Sequence, residues 1–303
     1  MMMKSTILVM SVLVVLSLVL TSCSTEETQT QIAGAFIGGT QGIVAEFEPF
    51  GVEEEGVSAI FDTETFLVEV TLRNKGEYEI QPGDIIVKLL GPSQSEFGGI
   101  ADWELQNSGI IERISELVTS GGEETISFAD NAQYEGDVNG LLDREWFANV
   151  EYKYNTFLVV PEVCLKEDLT DERVCDVKED KHYSSSGGPI TVTSVTEDTA
   201  GKGIIALKIK IKNAGIGKVT MPTEEFSSRK NTLSFSLDDP AWECKSGGKI
   251  NEARLVDGEA EILCKLLEPL SEGTLETKKV KLTMDYKYRD IIQETLRIKE
   301  SAE

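Results

Sequence analysis

Apolar and polar residues alternate along Phe66-Leu67-Val68-Glu69-Val70-Thr71-Leu72-Arg73-Asn74-Lys75-Gly76, and again along Ile205-Ala206-Leu207-Lys208-Ile209-Lys210-Ile211-Lys212-Asn213-Ala214-Gly215. A period of two is the signature of a strand with one buried face. Both runs end in Asn-x-Gly, where Asn and Gly tolerate the left-handed backbone of a tight turn. Further on, Val150-Glu151-Tyr152-Lys153-Tyr154-Asn155-Thr156 is matched by Met284-Asp285-Tyr286-Lys287-Tyr288-Arg289-Asp290. Two landmarks in the same order at nearly the same separation predict a duplicated domain.

Each copy reads as short strands between turns. In the first they are 42–47, 66–72, 85–89, 125–128, 147–154 and 157–160. In the second they are 190–195, 204–211, 233–237, 260–264, 280–288 and 291–298. Amphipathic helices do not separate them, so antiparallel sandwiches are expected. The stretch 110–119 fits a short helix or a further strand. Val280, Leu282, Met284, Tyr286 and Tyr288 share one face of their strand, and a hairpin at Arg289-Asp290 is expected to return the chain. Tyrosines so placed suit a corner role, ring inward and hydroxyl on nearby backbone, or serve as plain core.

The Asn-x-Gly strand endings resemble those of extracellular immunoglobulin-like modules of the CARDB type. In the Gly38-Gly39-Thr40-Gln41-Gly42 and Gly187-Gly188-Pro189-Ile190-Thr191-Val192 lead-ins and the two-cysteine connector, the whole is similar to archaeal surface lipoproteins of uncharacterised function. The resemblance implies an all-β fold of two tandem immunoglobulin-like antiparallel β-sandwiches, at 38–163 and 189–299, joined by a connector at 164–188. It implies no catalytic residue.

The N-terminus supplies an address. Lys4 precedes an apolar run from Ile7 to Leu20, and Leu20-Thr21-Ser22-Cys23 matches a lipobox. The run falls short of the roughly 20 apolar residues a spanning helix needs. Residues 1–22 therefore read as a lipoprotein signal peptide, Cys23 as the lipidated residue and 23–37 as a tether; an uncleaved anchor is the alternative. Both put the rest of the chain outside the cytoplasm, at the outer face of the cell membrane.

The remaining four cysteines fall into local pairs, Cys164 with Cys175 and Cys244 with Cys264, which in an exported protein read as disulfides. The single histidine, His182, rules against zinc, which needs more imidazole or tighter cysteine spacing. A formal net charge of −24 repels nucleic acid, excluding it as a partner. No Gly-x-Ser-x-Gly, His-Glu-x-x-His or Walker pattern is present, so no enzyme and no cofactor are expected. Asp130, Asp137, Asn139 and Asp143 around Gly140 read as a hairpin turn at Asn139-Gly140, with a weak calcium site as the alternative, since the EF-hand spacing and its terminal Glu are missing. The expected function is a non-catalytic binding, adhesion or structural module of the cell envelope. Its partners are the membrane, through the lipid, and an unknown protein or envelope polymer. The alternative is an accessory subunit or chaperone that uses strand addition at a sheet edge.

Overall fold

A computed structural model describes residues 36–302 and shows an all-β protein. The signal peptide, Cys23 and nearly all of the tether lie outside the described residues. The first copy contributes β1 Ile43–Phe47, β2 Val52–Glu54, β3 Val57–Phe61, β4 Thr65–Asn74, β5 Ile85–Gly91, β6 Phe97–Gly98, β7 Glu104–Gln106, β8 Glu123–Tyr134 and β9 Leu141–Lys166. The second contributes β10 Ser184–Ser185, β11 Ile190–Gly201, β12 Ile204–Asn213, β13 Lys218–Thr220 and β14 Thr232–Leu237. It continues with β15 Trp242–Ser246, β16 Lys249–Ile250, β17 Glu252–Arg254, β18 Glu259–Leu266 and β19 Leu275–Lys299.

Three sheets result. β1-β4-β8-β6 form one and β11-β12-β18-β15-β16 its counterpart, while β17-β14-β19-β9-β5-β7 run through a ten-stranded sheet common to both copies. The alternation read from sequence holds where it was strongest. Val68, Val70 and Leu72 on β4, and Ile205, Leu207, Ile209 and Ile211 on β12, are at most 1% exposed. Trp146 of β9 packs against Phe66 of β4 and Phe97 of β6, at centroid distances of 6.1 and 5.0 Å, so the smaller sheet faces the shared one across an aromatic core.

Two long strands replace expected pairs of short ones. No hairpin forms at Arg289-Asp290: β19 runs straight through it, as β9 runs through Asn155-Thr156. The two strands pair antiparallel from Lys166 opposite Leu275 to Leu141 opposite Lys299. Each supplies the neighbour that makes a turn at those residues unnecessary, because backbone groups that a hairpin would pair within one copy are paired between copies. The copies thus share a sheet and one continuous apolar core, and the described residues belong to a single compact unit.

The shared pairing has a hidden order. Tyr152 lies opposite Tyr288 and Tyr154 opposite Tyr286. The repeat equates Tyr152 with Tyr286 and Tyr154 with Tyr288, so exchanging the copies turns one pair into the other. That is the relation of a two-fold axis through the facing Lys153 and Lys287, as in an isologous dimer fused into one chain.

Other expectations shift in detail. The segment 110–119 forms neither helix nor strand; Ile111 makes an isolated bridge to Ile80. Asn139-Gly140 does not close a hairpin, since β8 pairs with β4 and β6 while β9 lies in the shared sheet.

Candidate functional site

At the two-fold junction four buried tyrosines meet, and two of their hydroxyls hold nearby backbone. Tyr154 accepts from the Tyr78 amide at 3.3 Å and Tyr288 from the Gly217 amide at 2.8 Å. The Tyr286 hydroxyl shares a hydrogen bond with Thr156 Oγ1 at 2.7 Å, and the Tyr152 ring packs on Tyr288 at 5.5 Å between centroids. Burial pushes all four hydroxyls above their ordinary range, Tyr288 to about 12. They stay neutral, and their role is to satisfy backbone rather than to react. The Asn-x-Gly turns complete the frame. Asn74 Nδ2 donates to Tyr78 O at 2.7 Å and Asn213 Nδ2 to Gly217 O at 2.8 Å, while each Oδ1 accepts an amide two residues on at 3.1 Å.

Both predicted disulfides are present, Cys164–Cys175 with Cα atoms 5.7 Å apart and Cys244–Cys264 with 3.9 Å. The first closes the connector, and the second ties β15 to β18 at directly facing positions. Sequence reading did not anticipate the buried charges beside the first. Lys181 Nζ lies 2.7 Å from Glu197, a fully buried carboxylate that also accepts from the Cys164 amide at 3.1 Å. Glu77, 6% exposed, is a second surprise: it accepts from the amides of Ile37, Gly38 and Gly187 at 2.8, 2.8 and 2.7 Å. Acid residues are so abundant here that neither position stood out.

The Ser184–Gly188 stretch is held in place on β9 and by Glu77. Ser184 and Ser185 pair with Val159 and Leu158 of β9, and Ser186 is 1% exposed. Ser and Gly serve close approach here: a Cβ on Gly187 would meet Gly38 O at 2.7 Å.

The acidic residues weighed for calcium do not converge. Asp143 is engaged by Arg297 at 2.9 and 3.0 Å, and that guanidinium holds its carboxyl below the usual range. Asp130 accepts from Ser127 Oγ at 3.2 Å, and Gly140 donates to Glu300 at 2.8 Å. Among the described residues no group of three or more His, Cys, Asp or Glu side chains could hold a metal ion. His182 is exposed in the connector.

A groove of about 320 Å³ opens at the junction. Val44 and Ala45 of β1 line one side and Asp290 and Ile292 of β19 the other, with buried Pro189 and exposed Ile216 also lining it. Asp290 is half-buried there, and desolvation raises its carboxyl above the ordinary value. The amide of Ile291 donates to its side chain at 2.8 Å, and among the described residues it faces no cation. Compared with known protein families and with curated proteins, the chain matches none.

Proposed function

We propose that this chain is a membrane-anchored extracytoplasmic lipoprotein that works as a non-catalytic binding, adhesion or structural module of the cell envelope, built from two immunoglobulin-like sandwiches. The observation that carries the reading is the fusion of the two copies through β9 and β19, reinforced by two disulfides. Such a body holds its surface in fixed geometry. Its sheet edges are blunted: β6, β7, β16 and β17 have two or three residues each, and β11 is bulged between Val192 and Ser194. The oxidised cysteines suit an oxidising compartment, and the lipobox supplies the tether.

One feature favours the second reading, an accessory subunit that accepts a partner's strand. β19 is paired on its outer side by β13 up to Arg289 and by β3 from Leu296, leaving 290–295 without a neighbour there among the described residues. The anchoring proposal is tested by mass spectrometry of the mature N-terminus and by membrane fractionation. A lipid-modified Cys23 and its release from membranes in Cys23→Ser are expected; an unmodified N-terminus upstream of residue 23 refutes it.

A further inference from the structure

The two-fold relation lets each copy serve as the control for the other. In the second copy, the space between the edge of β11 and the edge of β9 is filled by the chain's own residues 179–186. There Lys181 N donates to Val195 O at 2.8 Å, Glu197 N donates to Glu179 O at 3.0 Å, and the Tyr183 hydroxyl donates to Val192 O at 3.2 Å. On the other wall Ser184 and Ser185 pair with β9, and Ser186 N donates to Phe157 O at 2.8 Å. The equivalent space in the first copy, between β1 and β19, is the groove. Ala45 stands where Val192 stands and Ile291 where Phe157 stands. Among the described residues neither of their carbonyls accepts a hydrogen bond.

Among the described residues the lead-in to β1, 36–42, lines this space without filling it. At Gly38 and Gly39, with φ of 84° and 126°, the chain turns instead to Glu77, and Phe36 stacks on Phe157 at 6.2 Å. The edge left behind satisfies itself: the amides of Ile291 and Thr295 donate to the side chains of their own predecessors, Asp290 and Glu294, at 2.8 and 3.2 Å. One residue breaks the equivalence in a telling way. The counterpart of Asp290 is Thr156, buried and hydrogen bonded to Tyr286 at 2.7 Å. The filled seat is neutral at this point, and the open one presents a carboxylate without a cation.

We infer that the groove between β1 and β19 receives an extended segment of a partner protein, paired with Ala45 and Ile291 and carrying a lysine or arginine over Asp290. The inference deepens the reading of the chain as a binding module and rests on it. Strand addition of this kind draws affinity from main-chain hydrogen bonds and selectivity from the alternate side chains, and a basic segment suits an acidic protein.

The test uses the full mature chain in detergent micelles and a synthetic peptide of the sequence of residues 181–186, Lys-His-Tyr-Ser-Ser-Ser, extended by Gly-Lys so that its terminal lysine takes the place of Gly188, where a Cβ would meet Thr156 Oγ1, the counterpart of Asp290, at 2.8 Å. Saturable binding by fluorescence anisotropy is expected, with slowed amide exchange at both 43–48 and 290–295. Asp290→Asn, and separately N-methylation of the peptide's last serine, should each weaken binding at least tenfold. Absence of protection at either wall overturns the inference. So does equal affinity of the N-methylated peptide, which would mean charge attraction alone, or faster exchange at 157–159, which would mean exchange with the native connector. Failure here leaves lipid attachment at Cys23 untouched, and an unlipidated Cys23 leaves the peptide result readable.

Discussion

At the scale of single residues, the frame depends on side chains that satisfy backbone. Asn74 is fully buried and bonds three backbone groups, the third being Ile111 O at 3.3 Å. Its equivalent Asn213 is partly exposed, so water can replace part of what it supplies. Asn74→Ala is expected to cost about 2–4 kcal/mol from unsatisfied buried groups, and Asn213→Ala less, read as a shift of the denaturant midpoint at constant m. Asp290 works in the opposite sense. Its carboxyl is raised by desolvation, so the folded protein binds that proton more tightly than the unfolded chain does. Stability from this group therefore falls as pH rises from below the ordinary value of 3.8 through the raised one. Asp290→Asn should raise the unfolding midpoint at neutral pH, with the gain vanishing in acid. No gain at pH 7 would show that the carboxylate is not strained by its site.

Among the elements, the connector behaves as a clasp. Cys164 lies at the buried end of β9, and the bond to Cys175 folds the exposed stretch between them back onto the strand. Closing so short a loop stabilises by about 3 kcal/mol on the chain-entropy argument. Beyond it the chain is held by Lys181, by β10 and by the Gly187 amide on Glu77. Limited proteolysis should therefore spare Ser186 and cut within 167–174, where Leu169 and Val174 are 48% and 67% exposed. The nicked chain should run intact on a non-reducing gel and as two fragments after reduction. Early cleavage at Ser186 would show that the buried serine opens readily.

For the whole molecule the decisive element is the β9–β19 pair. Dividing the chain at the connector would strip both long strands of their partner and expose two of the longest edges in the protein. Halves made separately should be insoluble or self-associated, and co-expression should restore a one-to-one complex, checked by size-exclusion chromatography and circular dichroism. Because the apolar core is continuous, a charge buried by Ile209→Asp should lower one cooperative transition for the entire chain. Two calorimetric transitions, only one of them shifted, would show that the copies unfold independently.

The sequence by itself determined the duplication, the strand faces and both disulfides. Alternation places Val68, Val70, Ile209 and Ile211 inside whatever the fold, and cysteines spaced in two local pairs have few other partners. It did not determine where β9 and β19 end, because Asn155-Thr156 and Arg289-Asp290 look like turns until a neighbouring strand is there to pair them. Nor could it show that Glu77, Lys181 and Glu197 are buried, since their partners are backbone amides and side chains from distant segments. The groove belongs wholly to tertiary structure. It exists because one copy's gap is filled by the connector while no described residue fills the other's, and only the register of two strands from opposite halves of the chain sets those gaps side by side.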